Sequence, residues 1–108
     1  MTLTFDDVIE TLESLEGKVV GILVGHTEAS EIGPKIAQSY VDLFGQVDRV
    51  SEGENGEVLM KLAKTDRAVP PSIVVFSRRQ FIAALEEAGH MTVWQHAVAI
   101  QILLPSNA

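Results

Sequence analysis

The sequence predicts an α+β fold, with an N-terminal helix followed by a small, mostly antiparallel curled sheet or barrel. A second helix is expected before a C-terminal β-hairpin. Three observations favour this fold. The C-terminal segment alternates strictly, the polar segment 51–56 suits a turn between antiparallel strands, and the first helix is complete before the first strand pattern begins. With 108 residues, the chain is expected to form a single domain over residues 1–108.

The first helix is predicted to begin after Thr4 and to end at Gly17. Thr4 is a favourable N-cap residue, and Asp7, three residues later, occupies the position that completes a capping box. Glycine commonly follows the last turn of a helix. Apolar residues recur between these ends with helical spacing, at Phe5, Val8, Ile9, Leu12 and Leu15.

Seven segments have the character of strands. Some are rich in β-branched residues, some alternate apolar with polar residues, and turn residues separate several of them. The C-terminal segment shows the strictest alternation, and it is predicted to pair with the segment before it in a final hairpin. The predicted strands are 18–25, 35–43, 44–51, 57–64, 72–77, 91–95 and 98–104.

A second helix is predicted over residues 78–88. Ser77 would be its N-cap, Gln80 would complete the capping box, and Gly89 would end the helix. Its apolar stripe would consist of Phe81, Ile82, Leu85 and Ala88.

The middle of the chain also allows an alternative interpretation. Residues 34–44 carry apolar side chains at helical as well as strand spacing, and residues 56–65 favour helix by composition. If both segments were helical, strands and helices would alternate along the chain. This pattern would predict a layered α/β fold with a parallel sheet.

Composition and charge exclude several classes of function. The chain has no cysteine, so disulfides, thiolate metal sites and cysteine nucleophiles are excluded. The net charge of −7 argues against nucleic-acid binding, which needs a basic surface. No signal sequence or membrane-spanning stretch is recognisable, and a cytoplasmic location is expected.

The charges divide into an acidic and a basic stretch, and this suggests a partner-binding site. Residues 1–31 hold seven acidic residues and one lysine, whereas residues 61–79 hold five basic residues and one aspartate. Arg78 and Arg79 are unusual at the start of a predicted helix, where the dipole disfavours positive charge. An acidic group on the first helix or on another protein would offset them. Trp94 is a weaker partner-binding candidate, because a tryptophan more often fills a core or a sheet face.

A ligand loop is the second candidate site. Gly25, His26, Thr27 and Ser30 follow the first predicted strand, where an α/β fold would bind a phosphate-containing ligand. The loop lacks a recognised phosphate-binding motif, and its two glutamates would repel an anion. Metal binding by His26 and Glu28 together with His90 or His96 is a further hypothesis with little support from spacing.

No catalytic residue, cofactor site or metal site is predicted. The absence of motifs, the 46% apolar content and the divided charge favour a non-enzymatic interaction or structural module. Such a module would self-associate, forming a homo-oligomer, or bind a protein partner. The alternative function is a small α/β domain that binds a phosphate-containing ligand through Gly25–Ser30.

Overall fold

The computed structural model describes residues 2–26, 38–63, 72–96 and 98–105. These residues form one helix and eight strands. In chain order the elements are β1 (Thr2–Leu3), α1 (Phe5–Ser14), β2 (Val19–His26), β3 (Gln38–Glu52), β4 (Glu57–Leu62), β5 (Ile73–Ser77), β6 (Phe81–Glu87), β7 (His90–Gln95) and β8 (Val98–Leu103).

The eight strands form one antiparallel sheet in the order β1-β6-β7-β8-β2-β3-β4-β5. Strand β3 is long because two strands share it: its first half pairs with β2 and its second half pairs with β4. The sheet does not close into a barrel, and β1 and β5 are its edge strands. The predicted α+β class therefore holds in a sheet-dominated form. The alternative prediction of a parallel sheet is wrong, because all the paired strands are antiparallel.

Helix α1 confirms the first predicted element and its capping box. The Thr4 backbone N–H donates to the Asp7 carboxylate at 2.9 Å, and the Asp7 N–H donates to the Thr4 hydroxyl at 3.2 Å. The bonds with the Thr4 backbone and side chain lower the pKa of Asp7 below its ordinary value. The helix thus has a well-defined start, from which its apolar stripe faces the sheet.

The core lies between α1 and the inner face of the sheet. Phe5, Val8 and Leu12 of the helix are buried there against alternate residues of the strands. No helix in the described part of the chain is long and apolar enough to cross a membrane. The largest fully buried side chains are Phe76, Leu12, Ile22, Met60, Met91, Ile102, Val8, Val20, Val47, Val58 and Val93.

The prediction of a second helix over residues 78–88 is wrong. Residues 78–80 form a turn in which the Gln80 N–H donates to the Ser77 carbonyl at 3.2 Å, and strand β6 follows. The segment Phe81–Glu87 has helix-forming residues, but it lies between β1 and β7 and pairs with both. The register between β6 and β7 shifts between Phe81 and Ala83. This shift accommodates the irregular spacing of apolar residues along β6. Pairing on both edges here overrides local propensity.

The middle segments are also strands. Residues 38–44, which the alternative interpretation made helical, belong to β3, and residues 57–62 form β4. The predicted strands 35–43 and 44–51 are one continuous strand from Gln38 onward, and residues 34–37 and 64–65 lie outside the described residues. The C-terminal hairpin of β7 and β8 is confirmed.

A two-residue turn at Ala88 and Gly89 joins β6 to β7, between the paired residues Glu87 and His90. Ala88 has φ +49° and Gly89 has φ +84°, and positive φ at both central residues is the requirement of a type I′ turn. Alanine is unfavourable in this conformation, whereas asparagine tolerates it.

We therefore expect Ala88→Asn to raise the free energy of unfolding by about 0.5–1 kcal/mol, since it relieves an unfavourable backbone conformation. Urea unfolding monitored by circular dichroism measures the change. Ala88→Val is the matched control and should destabilise, because a β-branched residue fits positive φ poorly. The same sign for both variants would contradict the turn assignment.

Gln95 bridges the gap between β7 and the edge strand β5. Its side-chain amide donates to the Val75 carbonyl at 3.3 Å, and its side-chain oxygen accepts from the Ser77 N–H. The side chain is buried, with 6% of the residue exposed. One carboxamide thus satisfies a donor and an acceptor that β5 offers at its free edge, as a neighbouring peptide group would.

Candidate functional site

An exposed apolar face covers the outer side of β2, β3 and β8. Gly21 of β2 is in register with Phe44 on one side and with Leu103 on the other. Phe44 is 75% exposed and Leu103 is 53% exposed. A Cβ atom at Gly21 would lie 3.2 Å from Leu103 Cδ1 and 3.8 Å from Phe44 Cδ2. The two side chains therefore approach each other over the glycine.

Strand β2 is apolar on both of its faces. Val20 and Ile22 point inward and are buried, whereas Val19 on the outer face is 50% exposed and Leu23 is half-buried. A strand that is apolar on both faces is usually covered on both faces. We call Val19, Gly21, Leu23, Phe44 and Leu103 the outer apolar face; none of these residues is charged.

The edge strand β5 carries a smaller apolar strip. Ile73 is 55% exposed and Val75 is 44% exposed on its outer side. Lys61 of β4 lies directly opposite Ile73 and places a charge beside the strip. Asp42 of β3 is likewise in register with Leu23 of the outer apolar face. The outer apolar face has the larger and more exposed side chain, at Phe44, so it is the stronger candidate for a contact surface.

The predicted partner-binding arginines lie in the turn before β6. Arg78 forms an ion pair with Asp6 of α1 at 2.7 Å, and its guanidinium lies 4.7 Å from the centre of the Phe5 ring. Arg79 is exposed. An acidic group of the first helix therefore faces Arg78 within the molecule. Partner binding by Arg78 and Arg79 remains a prediction.

Trp94 is the third predicted partner-binding residue, and it is only 3% exposed. It lies in β7, opposite Ala83 of β6 and Ala99 of β8, where its ring lies between small neighbours in register. Partner binding by Trp94 stays a prediction. A position in the core or on a sheet face was expected of this tryptophan more than an anchor role, and its burial agrees with that expectation.

The predicted ligand loop falls only partly within the described residues. Gly25 and His26 end strand β2, whereas Thr27 and Ser30 lie outside the described residues. The strand-to-helix setting that the phosphate hypothesis requires belongs to a parallel α/β sheet, and the sheet is antiparallel. The parallel-sheet setting is therefore wrong, and ligand binding by the loop itself stays a prediction.

The structure separates His26 from His90, which were considered together as metal ligands. His26 is in register with Val98, and His90 is in register with Leu103, five residues further along β8. That offset separates the two histidine backbones by roughly 17 Å at the rise of a β-strand. His96 follows β7 at the opposite end from His90, which is the end where His26 lies, since His26 and Gln95 are both in register with Val98. Within the described ranges, no group of three or more histidine, aspartate or glutamate side chains is placed to hold a metal ion.

The outer apolar face was not among the predicted sites, although part of its signal is visible in the sequence. Residues 18–25 were recognised as a strand, and alternate positions Val19, Gly21 and Leu23 are all apolar or glycine. This pattern indicates that both faces of the strand are apolar. It does not show that Phe44 and Leu103, which are distant in sequence, join the same face.

No protein-family model matches the chain, and no curated protein or solved structure matches it either. The surface and the cavities of the fold are therefore the basis for assigning a function. Among the large apolar side chains of the described residues, Phe44 is the most exposed, at 75%, and the sheet presents its ring to solvent.

Proposed function

We propose that the protein is a non-enzymatic interaction module that binds protein, in the first place a second copy of itself, through the outer apolar face. The observation that carries the proposal is the exposure of Phe44 and Leu103 side by side over Gly21, at 75% and 53%. Large aromatic side chains are enriched at protein interfaces and often supply much of the binding free energy.

The proposed interface is expected to be weak. Burying one large apolar side chain contributes about 1.5–3 kcal/mol. In a two-fold dimer, Phe44 and Leu103 of both copies would be buried against the same face of the other copy. Since association costs about 4–15 kcal/mol in lost translational and rotational freedom, only a small surplus remains. A partner with a larger complementary surface would bind more tightly.

Electrostatic repulsion further weakens self-association at low salt. Each copy carries a net charge of −7, so two copies repel each other until salt screens the charge. An apolar contact between acidic chains should therefore become stronger as salt concentration rises. This salt dependence is opposite to that of an interface formed by the acidic and basic stretches.

We expect the double variant Phe44→Ser with Leu103→Ser to be monomeric under conditions in which the wild type associates, because it removes the apolar contact. Sedimentation velocity over a range of protein concentrations, at low and high salt, measures the association. Ile82→Ser is the matched control, because Ile82 is 40% exposed but lies on β6, away from the outer apolar face.

Two results would contradict the proposal. A wild-type chain that stays monomeric at every concentration and salt level would rule out self-association. Association that persists in the double variant, or that Ile82→Ser abolishes equally, would place the interface elsewhere. Charge reversal by Arg78→Glu with Arg79→Glu is the complementary test of the predicted basic site. At high salt, where the added negative charge is screened, it should leave association through the outer apolar face in place.

A further inference from the structure

A cavity of about 510 Å³ lies between the inner face of the sheet and the edge strand β5. Strands β2, β3 and β8 contribute one wall, and β5 contributes the other. The cavity opens at the end of the sheet where Val24, Leu43 and Val98 are only half-buried. The apolar residues of the two walls that point into the fold are Val24, Leu43, Val74, Val98 and Ile100.

The described lining also includes the exposed residues Ile73 and Val75 of β5, at the rim, and three uncharged polar residues, Ser72, Gln80 and Gln95. The carboxamide of Gln95 bonds the Val75 carbonyl and the Ser77 N–H, so it is held as part of the wall. Ser72 is half-buried and Gln80 is exposed. The polar side chains that could bond a ligand therefore lie at positions that water partly reaches. No charged side chain occurs among the described residues that line the cavity.

We propose that this cavity binds an uncharged, largely apolar small molecule with one or two polar atoms. Its volume is within the range of sites that bury small ligands, about 300–1,000 Å³, and such sites combine apolar walls with a few polar groups. An ionised ligand would lose its hydration against walls whose described residues offer no counter-charge. An anion would also be repelled by a chain of net charge −7. The described part of the wall and the proposed ligand are thus both uncharged.

This site is separate from the outer apolar face. Val24 and Leu43 of the cavity point inward, whereas their neighbours Leu23 and Phe44 lie on the outer side of the same strands. A probe that adheres to exposed apolar surface is therefore distinguishable, by mutation, from one that enters the cavity. A variant that loses self-association through the outer apolar face should therefore still bind a ligand in the cavity.

The test uses the full chain and N-phenyl-1-naphthylamine, a neutral probe that becomes fluorescent in apolar surroundings. We expect saturable binding with one site per chain, and displacement by 1-octanol but not by octanoate. Val98→Trp should weaken probe binding about tenfold or more, because the indole ring is much larger than the valine side chain and would fill space that the probe needs. Ser72→Trp, at a half-buried position of the lining, is a second blocking variant in case Val98→Trp fails to fold.

Phe44→Ser is the matched control, because it removes the exposed ring of the outer face and leaves the cavity lining intact. It should bind the probe as the wild type does, with folding of each variant checked by circular dichroism. Non-saturable binding, equal displacement by octanoate, or loss of binding in Phe44→Ser but not in the blocking variants would overturn the proposal.

Discussion

Replacing Phe76 with alanine is expected to lower the free energy of unfolding by about 3–5 kcal/mol, the usual cost of truncating a fully buried phenylalanine. Phe76 is 0% exposed and belongs to the core cluster, although it lies in the edge strand β5. It is in register with Val58 of β4, which is also buried. Removing the ring leaves a cavity that the surrounding strands fill only in part.

Phe44→Ala is the matched control for this experiment. The same side chain is removed, but Phe44 is 75% exposed, and the expected change is within about 0.5 kcal/mol. Urea unfolding of both variants and the wild type, at a protein concentration low enough to avoid association, measures the difference. Equal destabilisation by the two changes would show that the inner and outer faces have been assigned wrongly.

Replacing Gln95 with methionine is expected to lower the free energy of unfolding by about 1–3 kcal/mol. Methionine has a similar shape but makes neither of the two hydrogen bonds to β5. The Ser77 N–H and the Val75 carbonyl would then lose their partner at a partly buried position. The cost of such orphaned groups exceeds the net gain from an ordinary hydrogen bond, so the effect should be larger than that of a surface change.

Gln101→Met is the control, because Gln101 is a half-buried glutamine on the outer side of β8. Its replacement should change stability by no more than about 0.5 kcal/mol. Hydrogen exchange gives a second readout, since the Ser77 amide should exchange faster in Gln95→Met than in the wild type. An unchanged Ser77 amide would mean that Gln95 does not bridge β7 to β5.

The N-terminal helix was predictable because its determinants are local. Thr4 and Asp7 cap each other within one turn, and the apolar stripe that follows has the period of a helix. The final hairpin was also predictable, since strict alternation and a short connection occur within residues 91–104. In both cases the signal and the structure that it produces lie in the same stretch of sequence.

Strand β6 was mistaken for a helix because its local signals and its tertiary setting conflict. Ser77 and Gln80 resemble a capping box, and Phe81–Glu87 contains residues that favour helices. The partners that make it a strand are β1, about 80 residues earlier, and β7, beyond a turn that strains Ala88 at φ +49°. Strand β1 has only two residues and gave no recognisable pattern.

The candidate site was less predictable than the fold. The distribution of charge in the sequence predicted a partner-binding site at Arg78 and Arg79, because the start of a helix disfavours positive charge. The turn that holds Arg78 precedes a strand, and the Arg78 guanidinium pairs with Asp6. The outer apolar face depends on bringing β2, β3 and β8 together, so only its Val19–Leu23 part had a local signal. The cavity beside β5 likewise exists only once distant strands are assembled.

The most direct test of the proposed function is a dilution series followed by amide resonances in two-dimensional NMR spectra. If the outer apolar face mediates self-association, shifts that depend on concentration should cluster at Val19, Gly21, Phe44 and Leu103, and should grow with salt. Amides near Met60 in the core should not shift. Spectra that are independent of concentration, or shifts that cluster instead on α1 and Arg78, would contradict the proposed function.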